Sequence, residues 1–197
     1  MKTWKLILAC ILAGSVCVAS VTASVISEQR RLSDKLIRLH VIANSDSEED
    51  QQLKMQVKEG ILDYLSMQQW STRDEAVSWI NEHLTEIAAA GAQVVTAEGL
   101  DYLVQAELGM EEYPLRRYET FSLPAGEYLS LRVSIGQAEG KNWWCVVFPS
   151  ICRLSGGNFA QVAAAGGFSK NEVTFITEDS IEVKVKFKLL EWLNFLF

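Results

Sequence analysis

An uncharged apolar run near the N-terminus constrains the fold of this chain more than any other feature. Lys2 and Lys5 precede the run, and no further charged side chain occurs until Glu28. Residues 6–26 are therefore apolar, small or hydroxyl-bearing throughout. A basic start followed by such a run is typical of a secretory signal segment, which places the rest of the chain outside the cytoplasm.

The end of this run contains a candidate cleavage site. The sequence Val21-Thr22-Ala23 places small or slender side chains at the two positions that a signal peptidase inspects. We therefore predict a signal segment over residues 1–23 and one extracytoplasmic domain over residues 24–197. The run is also about as long as the ~20 apolar residues that span a bilayer, so an uncleaved anchor is the alternative.

Size and charge narrow the class of protein. The chain carries 25 acidic and 18 basic residues, with a formal net charge of −7. An acidic surface repels the phosphate backbone, so nucleic acid is not an expected partner. The remaining length of about 170 residues suits a single domain with one substantial core.

Cysteine and histidine usage bears on disulfides and metals. Beyond the signal segment only Cys145 and Cys152 remain, and in an oxidising compartment we expect them to form a disulfide. The alternative is a pair of buried, reduced thiols near the end of a strand. His40 and His83 are the only histidines and each stands alone, so no metal site is predicted.

The first part of the domain predicts one strand and two helices. Branched apolar residues over 36–42 indicate a largely buried strand. Apolar residues at helical spacing over 53–65 and over 76–87 predict two helices, the second ending near Gly91. A capping box over residues 72–75 marks the start of that second helix.

The pattern then changes from helical spacing to alternation. Four alternating stretches between residues 102 and 148 predict about four strands in a mostly antiparallel sheet. The expected fold class is therefore α+β. A Gly/Ala-rich stretch near residues 155–170 predicts a flexible loop.

The C-terminus is unusually apolar. Residues 181–188 alternate between apolar and charged side chains, and residues 189–197 are mostly apolar. This pattern allows either a strand running into a short helix or one amphipathic helix. The segment is expected either to pack on the sheet or to contact a membrane surface or partner.

Catalytic motifs are missing from the sequence. It contains no glycine-rich phosphate loop, no nucleophile elbow and no paired-histidine metal helix, so neither an enzyme nor a cofactor is predicted. The acidic residues at positions 46–50 suit the positive end of a helix. An exported hydrolase that uses His40 and the 44–50 region is the rival hypothesis from another functional class.

Two segments are richer in polar and aromatic side chains than a fold alone requires. Residues 38–51 pack Asn, Ser and Asp around one strand-to-helix corner. Residues 140–152 contain two adjacent tryptophans, which a strand must direct to opposite faces. We predict partner contacts at Arg38, His40, Asn44, Ser45, Asp46, Asp50, Asn142, Trp143 and Trp144.

The same two segments resemble a known family. The stretches IRLHVIANSDSEEDQQLKMQVKEGILDYL and LPAGEYLSLRVSIGQAEGKNWWCVVFPSIC are similar to signature sequences of stage II sporulation protein R of endospore-forming bacteria. The resemblance implies a protein secreted by the forespore into the space between forespore and mother cell. There it would activate a membrane-embedded aspartic protease that processes a mother-cell sigma-factor precursor. An envelope-associated structural protein with a membrane-bound C-terminus remains a further alternative.

Overall fold

The computed structural model describes residues 2–151, 159–177 and 181–196. These residues contain seven helices and six strands, whose bounds follow in two lists. The helices are α1 (Lys2–Ser33), α2 (Glu48–Ser66), α3 (Arg73–Glu82), α4 (Leu84–Ala97), α5 (Phe159–Ala165), α6 (Lys170–Thr177) and α7 (Ile181–Leu196). The strands are β1 (Ile37–Ile42), β2 (Val104–Tyr113), β3 (Arg116–Arg117), β4 (Ser122–Leu123), β5 (Gly126–Ile135) and β6 (Asn142–Phe148).

Four of the strands form one mixed sheet in the order β2-β5-β1-β6. Strand β1 runs parallel to β5 and antiparallel to β6, and β2 runs antiparallel to β5. Strands β3 and β4 form a separate small hairpin. The α+β prediction is therefore confirmed, with one parallel pair in an otherwise antiparallel sheet.

One face of the sheet carries the main hydrophobic core. Ile37, Leu39 and Val41 alternate along β1 and are fully buried on this face. They pack with the apolar stripe of α2, which includes Val57 and Ile61. Burial of each such side chain stabilises the fold by about 1.5–3 kcal/mol relative to exposure.

The second predicted helix is two helices in the structure. Helices α3 and α4 meet at His83, whose φ of −119° and ψ of 23° lie outside the helical region. The prediction of a helix end near Gly91 is wrong, because α4 continues to Ala97. A Cβ on Gly91 would lie 3.0 Å from Val104 Cγ1 and 3.2 Å from Val57 Cγ1. The glycine thus permits close packing of α4 instead of ending it.

The opposite face of the sheet is covered only in part. The end of α1, the hairpin and helices α5 to α7 build a second core there, which contains Leu32, Tyr128 and Val146. Part of the stretch predicted as a flexible loop near residues 155–170 is helix α5. Ala163 of this helix is buried against the second core. Residues 152–158 of that stretch lie outside the described residues.

The C-terminus forms a single helix, which decides between the two predicted alternatives. Val183, Phe187 and Leu190 are buried, and this spacing places them on one helical face. Val185, which strand alternation would place beside Val183, is 62% exposed. The buried face packs on the domain, whereas Trp192 of the same helix is 58% exposed.

Helix α1 changes character along its length. Its residues 11–33 form a stretch long and apolar enough to cross a membrane. Side chains before position 24, such as Val21, are largely exposed, whereas Val25 and Leu32 are buried. The helix contacts β5 and α7 through that second part. An apolar helix of this kind at the N-terminus is consistent with a signal sequence and suggests export.

Candidate partner-binding site

The Asn44–Asp50 corner joins β1 to α2 through a set of internal hydrogen bonds. Ser47 caps α2, because its Oγ accepts from the Asp50 backbone N–H at 3.2 Å. The Asp50 carboxylate accepts from Asn44 Nδ2 at 2.8 Å and from Ser45 Oγ at 2.5 Å. The first signature segment therefore folds around one buried carboxylate.

The corner also holds the β5–β6 connection in place. Asn44 Oδ1 accepts from the Gln137 backbone N–H at 2.9 Å, and Asp46 Oδ1 accepts from the Lys141 N–H at 2.7 Å. Gly136 has a φ of +58°, and a Cβ there would overlap the Asn44 amide. The two signature segments are thus neighbours in space, although about 90 residues separate them in the chain.

The electrostatics of Asp50 follow from these contacts. Burial by itself would raise the pKa of this carboxyl. Hydrogen bonds from Ser45, Asn44, Tyr102 and Ser47 outweigh that effect and hold the pKa below its ordinary value. The polar atoms of the corner are therefore directed to the chain's own groups, which indicates a scaffolding role.

Arg38 lies on the other face of the sheet and is fully buried. Its guanidinium carbon sits 3.9 Å from the centre of the Tyr113 ring and 4.9 Å from that of Tyr128. Nη2 donates to the Tyr118 hydroxyl at 2.6 Å. No ion pair within the described part of the chain includes Arg38, and its Nε and Nη1 have no hydrogen-bond partner there.

His40 follows two positions later on the same face, at the edge of the covered region. Its Nδ1 lies 3.2 Å from each carboxylate oxygen of Glu111, and its Nε2 lies 2.9 Å from Asn142 Oδ1. Cross-strand pairing places Arg132 of β5 on one side of His40 and Trp144 of β6 on the other. The His40 and Trp144 ring centres are 5.4 Å apart.

Two further arginines complete this group. The Arg116 guanidinium carbon lies 3.4 Å from the centre of the Trp144 ring, a cation–π contact. Arg132 Nε lies 3.8 Å from Glu111 Oε1, which is an ion pair but too long for a hydrogen bond. We define the Arg–aromatic cluster by the residues Arg38, His40, Glu111, Arg116, Arg132 and Trp144.

Burial, hydrogen bonds and neighbouring charges shift the pKa of two groups in the cluster, Glu111 and Arg116. Burial would raise the pKa of the Glu111 carboxyl, but hydrogen bonds from His40 and Ser130 and the charges of His40 and Arg132 lower it overall. Burial lowers the pKa of the Arg116 guanidinium. Tyr118 acts to raise this pKa, and the positive charge of Arg38 lowers it further. The cations of the cluster therefore influence one another at short range.

A cleft of about 600 Å³ borders the cluster at β6. Tyr118, Trp143 and Trp144 contribute to its walls. Trp143 packs against the helix-covered core and Trp144 against the opposite one, as strand alternation requires. Both tryptophans are half-buried, so each presents part of its ring to the surface.

The structure separates the nine predicted contact residues into two groups of four and a single residue, Trp143. Arg38, His40, Asn142 and Trp144 share one face, and Asn44, Ser45, Asp46 and Asp50 form the corner. Trp143 lies on the helix side of β6, with Lys58 Nζ 4.8 Å from its ring centre. The sequence analysis did not single out Glu111, Arg116 and Arg132. For Arg132 the available signal was its position between the apolar residues Leu131 and Val133.

The hydrolase hypothesis and the disulfide prediction both stay predictions. The polar contacts found for the His40 ring are to Glu111 and Asn142, whereas the acidic side chains of the corner accept from backbone, amide and hydroxyl groups. The described residues contain no group of His, Cys, Asp and Glu able to hold a metal ion. Cys145 is buried on β6, and Cys152 lies outside the described residues, so their pairing stays a prediction.

Comparison with known proteins gives a consistent result. The family described as Stage II sporulation protein R (spore_II_R) matches residues 33–158. A curated relative, Stage II sporulation protein R of Bacillus subtilis (strain 168), is 30% identical over 188 residues. That match covers 84% of this chain and 83% of the relative. No solved structure matches the chain.

Proposed function

The chain belongs to the stage II sporulation protein R family, and from that membership we propose that it is an exported signalling protein of sporulation. In this proposal the protein leaves the forespore and enters the space between forespore and mother cell. There it activates a membrane-embedded aspartic protease, which converts an inactive mother-cell sigma-factor precursor to its mature form.

The family match over residues 33–158 is the observation that carries this proposal. The division of α1 supports the export step, because burial begins at Val25, just after the predicted cleavage point at Ala23. Cleavage there would remove the exposed apolar part of the helix. The packed part that contains Leu32 would stay with the domain.

Activation by such a protein needs binding and no chemistry of its own. A ligand shifts a two-state protease toward activity when it binds the active arrangement more tightly than the inactive one. Each factor of ten in that preference corresponds to about 1.4 kcal/mol. We assign the contact with the protease to the Arg–aromatic cluster, with Asn142 beside it, and a supporting role to the Asn44–Asp50 corner.

The test is reconstitution in a bacterium that does not sporulate. The protease and its sigma-factor precursor are produced together, with and without this chain carrying its own export segment. Immunoblotting of the precursor measures processing. We expect processing only when the chain is present, and unchanged precursor in its presence would overturn the proposal.

A matched variant tests the export step in the same cells. Deletion of residues 2–23 removes the exposed part of α1 and leaves the packed part in place. We expect this variant to accumulate in the cytoplasm and to leave the precursor unprocessed. Full processing by the cytoplasmic variant would contradict an extracytoplasmic site of action.

A further inference from the structure

The Arg–aromatic cluster carries more positive charge than its own residues neutralise. The cluster contains three arginines, Arg38, Arg116 and Arg132, but one carboxylate, Glu111, which forms an ion pair with Arg132. Glu107 lies across from Arg132 in the β2–β5 pairing, and positive charge still exceeds negative charge when it is counted. This excess stands out in a chain whose formal net charge is −7.

The same arginines also hold buried N–H groups that have no acceptor. Arg38 Nε and Nη1, Arg116 Nε and Arg132 Nε are buried and without a hydrogen-bond partner in the described residues. Buried donors are nearly always paired in native proteins, since a missing partner costs the full desolvation penalty. These N–H groups are buried, so an acceptor from outside the domain would reach an arginine through the exposed part of its side chain, which for Arg132 is 43%.

Arginine geometry indicates the kind of acceptor. A guanidinium group matches the two oxygens of a carboxylate and binds them through paired N–H groups. The stacking of Arg116 on Trp144 fixes the plane of its guanidinium group. Arg132 is 43% exposed along its side chain and is open to contact. Arg38 is buried, so its charge adds to the field with little screening by water.

We propose that the Arg–aromatic cluster binds the carboxylates of an acidic segment of a protein partner. This inference rests on the proposed signalling function and names the chemistry of the contact. The acidic segment would approach along the open side of the cluster, where Arg132 is exposed and the cleft borders Trp144. Arg116 and Arg132 would contact it directly, and Arg38 would act through its charge.

A binding experiment tests the inference without the protease. The full-length chain in detergent micelles is titrated with a peptide of ten glutamates, and a peptide of ten glutamines is the matched probe. We expect binding of the glutamate peptide alone, weakening as salt is added because the contact is ionic. Equal binding of both peptides, or no binding of either, would overturn the inference.

Variants locate the contact on the surface. We expect Arg116→Gln and Arg132→Gln each to weaken binding of the glutamate peptide at least tenfold, and Arg132→Lys to retain part of it because the charge remains. Arg30→Gln removes an exposed arginine of α1 outside the cluster and is expected to bind like the unmodified chain. Undiminished binding by both cluster variants would place the acidic segment elsewhere.

The processing assay separates this inference from the proposed function. If the unmodified chain supports processing, we expect Arg116→Gln and Arg132→Gln to reduce it at least tenfold and Arg30→Gln to leave it unchanged. Equal processing by all variants would refute the inference and leave the function standing. Failure of the unmodified chain would refute the function, and the peptide titration would still decide the inference. Circular dichroism of each variant shows whether its fold is retained.

Discussion

The Asn44–Asp50 corner and the Arg–aromatic cluster are both rich in polar side chains but use them differently. In the corner, the Asp50 carboxylate and the Asn44 amide find partners within the same turn and the neighbouring connection. In the cluster, Arg116 and Arg132 keep buried N–H groups without acceptors in the described residues. Satisfied polar groups stabilise a fold, whereas the exposed part of the Arg132 side chain is available for a partner.

Replacement of the corner carboxylate is expected to have the largest effect on stability. Asp50→Ala leaves the part-buried donors of Asn44 and Ser45 without their charged acceptor and is expected to reduce the free energy of unfolding by about 3 kcal/mol. Urea unfolding measures the change. Glu49→Ala is the control, since Glu49 is exposed one position earlier. Equal stability of the two variants would contradict a scaffolding role for the corner.

A backbone change tests the contact between the corner and the β5–β6 connection. Gly136→Ala combines a positive φ with overlap of the Asn44 amide, and we expect a loss of about 2 kcal/mol. Gly99→Ala is the matched control because Gly99 also has a positive φ, of +75°, but open space around a new Cβ. Thermal unfolding should separate the two variants. If both lose the same stability, the overlap with Asn44 contributes nothing.

The acid sensitivity of the domain provides a smaller and more specific test. The pKa of Asp50 lies below its ordinary value of 3.8 in the folded state, so its contribution is present above that value. The contribution is lost as the pH falls through the lower folded pKa. We expect stability to decline below about pH 4, and less steeply in Asp50→Asn, as measured by urea unfolding at several pH values. Identical pH slopes would show that Asp50 does not titrate as inferred.

The cluster is expected to show the smallest effect on stability. Arg132→Gln removes a half-exposed side chain whose Nε has no hydrogen-bond partner among the described residues, so the free energy of unfolding should change by no more than about 0.5 kcal/mol. The same substitution is expected to impair activation of the protease. A loss of unfolding free energy as large as that of Asp50→Ala would show that Arg132 stabilises the fold, as the corner residues do.

Local sequence patterns were sufficient where neighbouring residues decide the structure. Ser47 and Thr72 each cap a helix through a contact three residues away, and both positions were within predicted helix starts. The capping box is only partly formed, because the Glu75 carboxylate accepts from Ser71 N–H instead of Thr72 N–H. Gly91 misled the prediction, since a local stop signal was in fact a site of close packing by distant residues.

The sequence by itself determined the apolar N-terminal helix, the α+β class, the helix starts and the alternation of faces along each strand. These properties depend on contacts within about one or two turns of the chain. Only the tertiary structure decided that Glu111, Arg132, His40 and Trp144 meet, because they come from four different strands. Alternation assigns a side chain to a face of the sheet. Long-range packing selects the order and register of the strands, and these decide which other side chains become its neighbours.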